Sequence, residues 1–447
     1  MKKSYIAVIV VIILAAGAVF ATPFIIGKLA EMKPSTHVLY AMKKTGEIEK
    51  MNATATMTMS VDQAAAEELG VFETSEDPVA MSNYMDSILS NFKIVYDMTY
   101  ARDQSTLPTY MDYKIEMNYK NSPLLNMSMI FEPWKIAFGS AQLYDRLFIY
   151  DMDSQTDQVD FERYVSIITD DSDQLYKTAK KNFKQYEEFL MDYLENSLQK
   201  IEDGTLETTY EGKVSTHKVR QYLLPVDMKT LFEKMETLIV MFKNDETMQA
   251  LIKNRVYQVV DTFVESGDYL KFSMTETEAK SMQTSLKANY DEELSTMLDE
   301  MLTTYSTLGN EYDSMGISMD YDILMKIDKN NLLRAMEIDM LSAFIEVKQI
   351  YTYNAFDKEV VLRPISTQNT EDIKVLMENQ QRISEVTQIV ITNAYSNILG
   401  SIAFNDLMTD LEINAHQLPE SERYKIQNGI NEMMQMIQMM PFLIQGL

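Results

Sequence analysis

Asp151, Asp153, Asp157 and Glu162 occupy positions one, three, seven and twelve of an acidic stretch, the spacing of a calcium-binding EF-hand loop. Such a loop needs glycine at its sixth position to turn sharply, and Thr156 stands there. The stretch therefore reads as a solvated hairpin loop between strands at 143–150 and 159–168, and no metal site is expected. His37, His217 and His416 are the only histidines, far apart and without an HExxH pairing. Cysteine is absent, which removes disulfides, thiolate metal sites and thiol nucleophiles. No Gly-x-Ser-x-Gly elbow and no Walker loop occur, and paired carboxylates carry no information in a chain with 67 acidic residues. No catalytic residue, metal ligand or cofactor is predicted, and the body reads as non-enzymatic.

The remaining candidates are apolar. Methionine occurs 35 times and tyrosine 26 times, concentrated in alternating stretches. Methionine adapts its unbranched chain to irregular apolar partners, and tyrosine adds a polar tip. Tyr96, Met98, Tyr113, Met117, Met127, Met129, Tyr321 and Met325 are the expected lining of a groove for a lipid or other amphipathic ligand. The alternative is a structural or partner-binding envelope protein in which the same residues form a fully packed core. Trp134, the single tryptophan, reads as a core anchor near a strand end.

These residues lie in elements with two distinct periods. Strict alternation marks strands at 53–62, 92–100, 111–119 and 125–131, and again at 317–327, 336–340, 344–353 and 359–363. Each has one wet and one buried face, so Ile115, Met117, Ile323 and Met325 point inward, and Lys114, Glu116, Asp322 and Lys326 outward. Lys-Asn-Ser-Pro at 120–123 and Asp-Lys-Asn-Asn at 328–331 are turns, and short connections favour an antiparallel meander. Apolar residues at steps of three and four mark helices through Phe183, Leu190 and Leu198, stopped at Gly204, then after Asp227, and within 276–305. From about Thr370 the chain reads as entirely helical. The predicted class is α+β, a large curved antiparallel sheet with helices packed on one face.

Residues 5–27 carry no charge and follow Lys2 and Lys3. A run of about 20 apolar residues spans a bilayer. The segment reads as a retained transmembrane anchor, with a cleaved signal peptide as the alternative. The lysines put the N-terminus in the cytoplasm, which makes the chain a single-pass cell-membrane protein with an extracytoplasmic body. The organisation is then residues 1–30 as anchor, 35–365 as α+β body and 370–447 as a helical C-terminal extension. Formal net charge is −27, which repels nucleic acid. No protein partner is indicated.

Alternating Met/Tyr strands after an anchor, the stretch from Gly212 to Val219 leading into Asp227-Met-Lys-Thr-Leu, and a close on Leu362-Arg363-Pro364 form a recognisable order. Over roughly 50–365 the chain resembles membrane-anchored cell-envelope proteins of Firmicutes that share the LolA/LppX-like half-barrel. The resemblance implies a curved sheet with helices in its concave side, used elsewhere to carry lipids or lipoproteins. The lipobox cysteine is missing and the helical tail is additional.

Overall fold

The structure is a computed structural model that describes residues 33–102, 108–133, 135–151, 160–272, 274–315, 321–342, 344–366 and 369–444. The expected anchor at 5–27, Trp134, and Asp153 and Asp157 lie outside the described residues. Among those described, no helix is long and apolar enough to cross a membrane.

Helix α1 (Pro34–Gly46) opens the described chain, with proline in its first turn. A meander follows: β1 (Lys50–Val61), β2 (Phe92–Arg102), β3 (Pro108–Tyr119), β4 (Ser122–Glu132), β5 (Lys135–Gly139) and β6 (Leu147–Asp151), with α2 (Gln63–Glu68) and α3 (Pro78–Leu89) between β1 and β2. Next come α4 (Phe161–Thr169), α5 (Gln174–Ser197), β7 (Gln199–Lys200), β8 (Gly204–Tyr210), β9 (Lys213–Val226), α6 (Met228–Lys243), α7 (Glu246–Glu265) and α8 (Glu276–Met315). The chain then returns to strands β10 (Tyr321–Asp328), β11 (Leu333–Ser342), β12 (Ile345–Phe356) and β13 (Thr370–Asp372). It ends in α9 (Ile373–Met377), α10 (Gln380–Asn393), α11 (Ile402–Ala415) and α12 (Glu420–Ile444).

All described strands join one sheet of thirteen, in the order β13-β6-β5-β4-β3-β2-β1-β12-β11-β10-β9-β7, with β8 on β9. Every pair is antiparallel except β13 with β6. The fold is thus mixed α and β around a large, mostly antiparallel sheet. The turn from β3 to β4 places Lys120 and Asn121 at positive φ, as a two-residue hairpin turn requires. Two meanders meet where β1 pairs with β12, from Met51 opposite Phe356 to Val61 opposite Ile345.

A few of the acidic residues serve helix starts. Asp62, Asp77, Asp160, Asp173 and Asp245 each accept a backbone N–H from the first turn, and Asp227 accepts two. A side-chain acceptor there satisfies orphan donors, and negative charge suits the helix N-terminus.

Three apolar clusters hold the described body. α1 sets Val38 and Ala41 against Tyr222, Leu224, Met325 and Ile327, and so covers the β9–β11 end of the sheet. Helices α5 to α8 pack mostly on one another around Ile239, Phe242, Leu251, Ile252, Val256 and Tyr290. α3 and α11 close the third cluster around Tyr84, Ile88 and Ala415.

Several sequence expectations change. The segment expected as a strand at 159–168 is largely helix α4, because Asp160 caps its first turn through the Arg163 N–H. Gly204 does not stop a helix. α5 ends at Ser197 and Gly204 starts β8, where an added Cβ would meet the Gln221 side chain at 2.8 Å. The stretch 359–363 is no strand: Asp357 adopts φ 48° and leads β12 into a 3-10 turn, Asp357–Glu359, and an irregular strap. Residues from Thr370 are not all helical, since Thr370–Asp372 extends the sheet beside β6.

Candidate functional site

The strand register puts the Met/Tyr candidates on one face. Ala53, Met98, Tyr113 and Met129 lie in one row across β1 to β4, and Ala55, Tyr96, Ile115 and Met127 in the next. Side chains two apart on a strand share a face, so Met117 joins this set.

The structure divides these residues into two groups. Tyr321 and Met325 belong to the cluster under α1, where Met325 is 3% exposed. Tyr96, Met98, Tyr113, Met117, Met127 and Met129 belong to none of the three clusters. All but Met127 are half-buried, and Met127 is 44% exposed. They form an apolar platform on an open sheet. Of the lining candidates, only Tyr321 borders a cavity described here, a cleft of about 440 Å³ at the sheet end shared with Asp62, Asp227, Asp322, Asp339 and Glu346.

The outward set follows the expected alternation at Lys114, Glu116 and Asp322, which are exposed. The same face holds a feature that alternation does not reveal. Asn52 and Thr54 of β1, Asp97 and Thr99 of β2, and Asp112 and Lys114 of β3 line a chamber of about 110 Å³. β12 adds Asn354, an extra residue in its register opposite the Asn52–Ala53 step. Such a bulge re-aims a side chain: the Asn354 amide donates to Asn52 Oδ1 at 2.9 Å and to Thr54 Oγ1 at 2.5 Å. The Asn52 amide in turn donates to Asp97 Oδ1 at 2.7 Å and Thr99 Oγ1 at 3.1 Å.

Two loops roof this chamber. The tip of the β8–β9 hairpin supplies Thr209, Tyr210 and Glu211, and the strap after β12 supplies Val361 and Arg363. The strap is tied down along its length. Val361 N–H donates to the Tyr210 hydroxyl at 2.8 Å, the Tyr110 hydroxyl donates to Arg363 O at 2.8 Å, and Ile365 N–H donates to Glu132 Oε1 at 2.7 Å. Arg363 donates to both carboxylate oxygens of Glu211, at 2.7 and 2.9 Å.

Under this roof Asp112 is 7% exposed, and its Oδ1 has no hydrogen-bond partner. Burial pushes its carboxyl above the usual range; Lys114 opposes the shift and the Asp97 charge adds to it. Burial also pushes the neighbouring Tyr110 hydroxyl up to about 12. The alternating pattern reads Asp97 and Asp112 as solvent-facing; the signal for a covered face is the asparagine pair, Asn52 and Asn354, inside strands that disfavour asparagine.

The histidines take separate structural places. His37 on α1 is buried, with Nδ1 2.7 Å from the Tyr222 hydroxyl and Nε2 2.9 Å from Asn331 Oδ1. His217 on β9 meets Thr208 Oγ1 at 3.0 Å, and His416 is exposed at the end of α11. Of the EF-hand-like set, Asp151 ends β6 and pairs with Lys135 at 3.4 Å, and Glu162 lies in α4. Among the described residues, no group of three or more His, Cys, Asp or Glu side chains is arranged to hold a metal.

No protein-family model matches the chain, and a search of curated proteins finds no match.

Proposed function

We propose that this chain is a membrane-tethered extracytoplasmic protein that holds a lipid-like amphipathic molecule against the Met/Tyr face of its sheet. One observation carries the reading: Tyr96, Met98, Tyr113, Met117, Met127 and Met129 form a contiguous apolar platform outside every described core cluster. A contiguous, partly exposed apolar face that no core cluster claims suits a binding surface. Met and Tyr suit acyl chains and the polar group at their end.

The uncharged run at 5–27 supports a lipid as the ligand. Only residues 28–33 separate that run from Pro34. Such a linker reaches about 20 Å at most, so the sheet sits near the bilayer that supplies acyl chains. The resemblance to the half-barrel lipid carriers, with helices on one face of a curved sheet, points the same way.

The test uses the full chain in nanodiscs that contain a phospholipid with a photoactivatable acyl chain. Cross-links are expected in peptides from β2, β3 and β4, reduced by Met127→Trp. Cross-links confined to residues 5–27 would reject lipid binding by the sheet.

A further inference from the structure

We infer that α1 docks on the anionic headgroups of the bilayer that holds the chain, with the basic residues around its C-terminal end as the electrostatic contact. This docking rests on the membrane-tethered reading above and sets how the body lies on that bilayer. Lys33 pairs with Glu195 at 2.9 Å, and α1 begins at the next residue. Residues 28–33 reach about 20 Å at most, so α1 starts close to the surface from which the chain emerges. One side of α1, with Val38 and Ala41, is sealed on the sheet. Leu39, Tyr40 and Lys43 are half-buried and belong to none of the three clusters, and Met42 is 48% exposed. Apolar residues beside Tyr and Lys suit the headgroup boundary, where the polar tips stay in water.

The fold gathers cations from separate segments at the C-terminal end of α1. Lys44 Nζ donates to Asn330 O at 2.6 Å, in the β10–β11 turn that also carries the exposed Lys329. The β9–β10 register sets Val219 opposite Asp328, so Lys218 lies beside that turn. Side chains two apart on a strand share a face, so Lys218 and Arg220 lie on the side of β9 that Tyr222 presents to α1. Arg220 and Lys200 stand close enough to His37 of α1 to oppose its protonation. Asp203 offsets Lys200 at 3.6 Å, and Glu47 offsets Lys43 at 3.7 Å. Lys44, Lys218, Arg220 and Lys329 carry the positive excess. The net charge of −27 over the whole chain does not cancel this patch, because exposed charges more than about 8 Å away are screened at physiological salt.

The docking also orients the Met/Tyr platform. A single strand row runs from Tyr222 and Met325 under α1 through Tyr351 and Ala55 to Tyr96 and Met127. α1 and the platform therefore share one sheet face, and contact through α1 turns that face toward the lipid.

The experiment is amine-reactive footprinting of the full chain in nanodiscs of phosphatidylcholine alone and of phosphatidylcholine mixed with phosphatidylglycerol, read by mass spectrometry. Lys44, Lys200, Lys218 and Lys329 are expected to label several-fold less in the anionic discs. Lys114, exposed on the opposite sheet face, should label equally in both. Salt at about 1 M, where the Debye length falls to about 3 Å, should erase the difference. Lys218→Glu together with Arg220→Glu should restore labelling at Lys44 and Lys329, since each basic residue at such a surface contributes about fivefold to the docked population. If that variant does not fold, the salt arm on the wild type decides. Co-elution of the chain with the discs reads the tether separately. A chain that leaves the discs removes the tether and the docking with it. A chain that stays in the discs but labels alike in both lipids, or keeps its protection in salt, overturns the docking alone.

Discussion

Arg382 on α10 donates to both carboxylate oxygens of Glu371 on β13, from Nε at 2.8 Å and Nη2 at 3.0 Å. Tyr144 and Arg146, from the loop before β6, donate to the same carboxylate at 3.1 and 3.2 Å. One half-buried carboxylate thus ties the C-terminal helices to the edge of the sheet. The Arg382 hydrogen bonds, helped by Tyr144 and the arginine charges and opposed by burial, hold Glu371 at about 2, against an ordinary value of 4.5. A depressed carboxyl adds stability above its unfolded value and loses it as pH falls toward the folded one. Protection of α10 from hydrogen exchange should therefore decline between 4.5 and about 2. Glu371→Gln should lack this transition and lose about 1.5–3 kcal/mol at neutral pH, as for hydrogen bonds to charged groups. Identical acid profiles for the two proteins would refute the assignment.

His37 gives a second pH dependence. Its burial lowers its proton affinity from 6.5, against the hydrogen bond that its Nε2–H donates to Asn331 Oδ1, which raises it. A base whose folded value is depressed stabilises the fold above its unfolded value and ceases to do so as pH falls. The Tm advantage of wild type over His37→Gln should shrink as pH drops below 6.5. A constant difference across that range contradicts a neutral, buried imidazole.

Two methionines on the same sheet face should behave oppositely. Met325→Ala removes a side chain packed under α1 and should cost about 2–4 kcal/mol in chemical denaturation. Met127→Ala, 44% exposed, should stay within about 0.5 kcal/mol, as surface changes do. Met127→Ala should instead reduce lipid cross-linking to β2–β4. Equal destabilisation would mean that the platform is core.

The β3–β4 turn provides a local test. Asn121 sits at φ 64° after Lys120 at 49°. Asn121→Gly should be neutral or slightly stabilising, and Asn121→Val should lose about 1–2 kcal/mol, because a β-branched residue fits the left-handed region poorly. Equal melts for the two variants would argue against this turn.

Period-two alternation located β1 to β4 and β10 to β12 because their two faces meet different surroundings. Asp227 and Pro34 illustrate how local signals differ in visibility: a capping aspartate before an apolar helix is legible, while α1 is short and its burial depends on distant Tyr222 and Leu224. β8 and the first part of β9 were not legible as strands, because Glu207, Thr209, Lys213 and Val214 leave them with little apolar contrast. The chamber was invisible for a different reason. Asp97 and Asp112 look like wet-face residues in their own strands, and the strap that covers them arrives from residues 357–366. Alternation put the Met/Tyr candidates on one strand face, but it cannot say whether a helix lies above that face. Tyr321 and Met325 therefore could not be separated from Met127 and Met129.

The junction of β1 with β12 has a kinetic meaning. Met51 lies opposite Phe356 and Val61 opposite Ile345, so the centre of the sheet is its least local contact. A nascent chain that has produced β1 to β6 holds a meander whose β1 edge stays unpaired until residues 345–356 emerge. An open edge of alternating Met and Thr is a template for pairing with other chains, and non-local strand pairing is slow. The adhesive strand of that intermediate lies at the middle of the finished sheet rather than at either end.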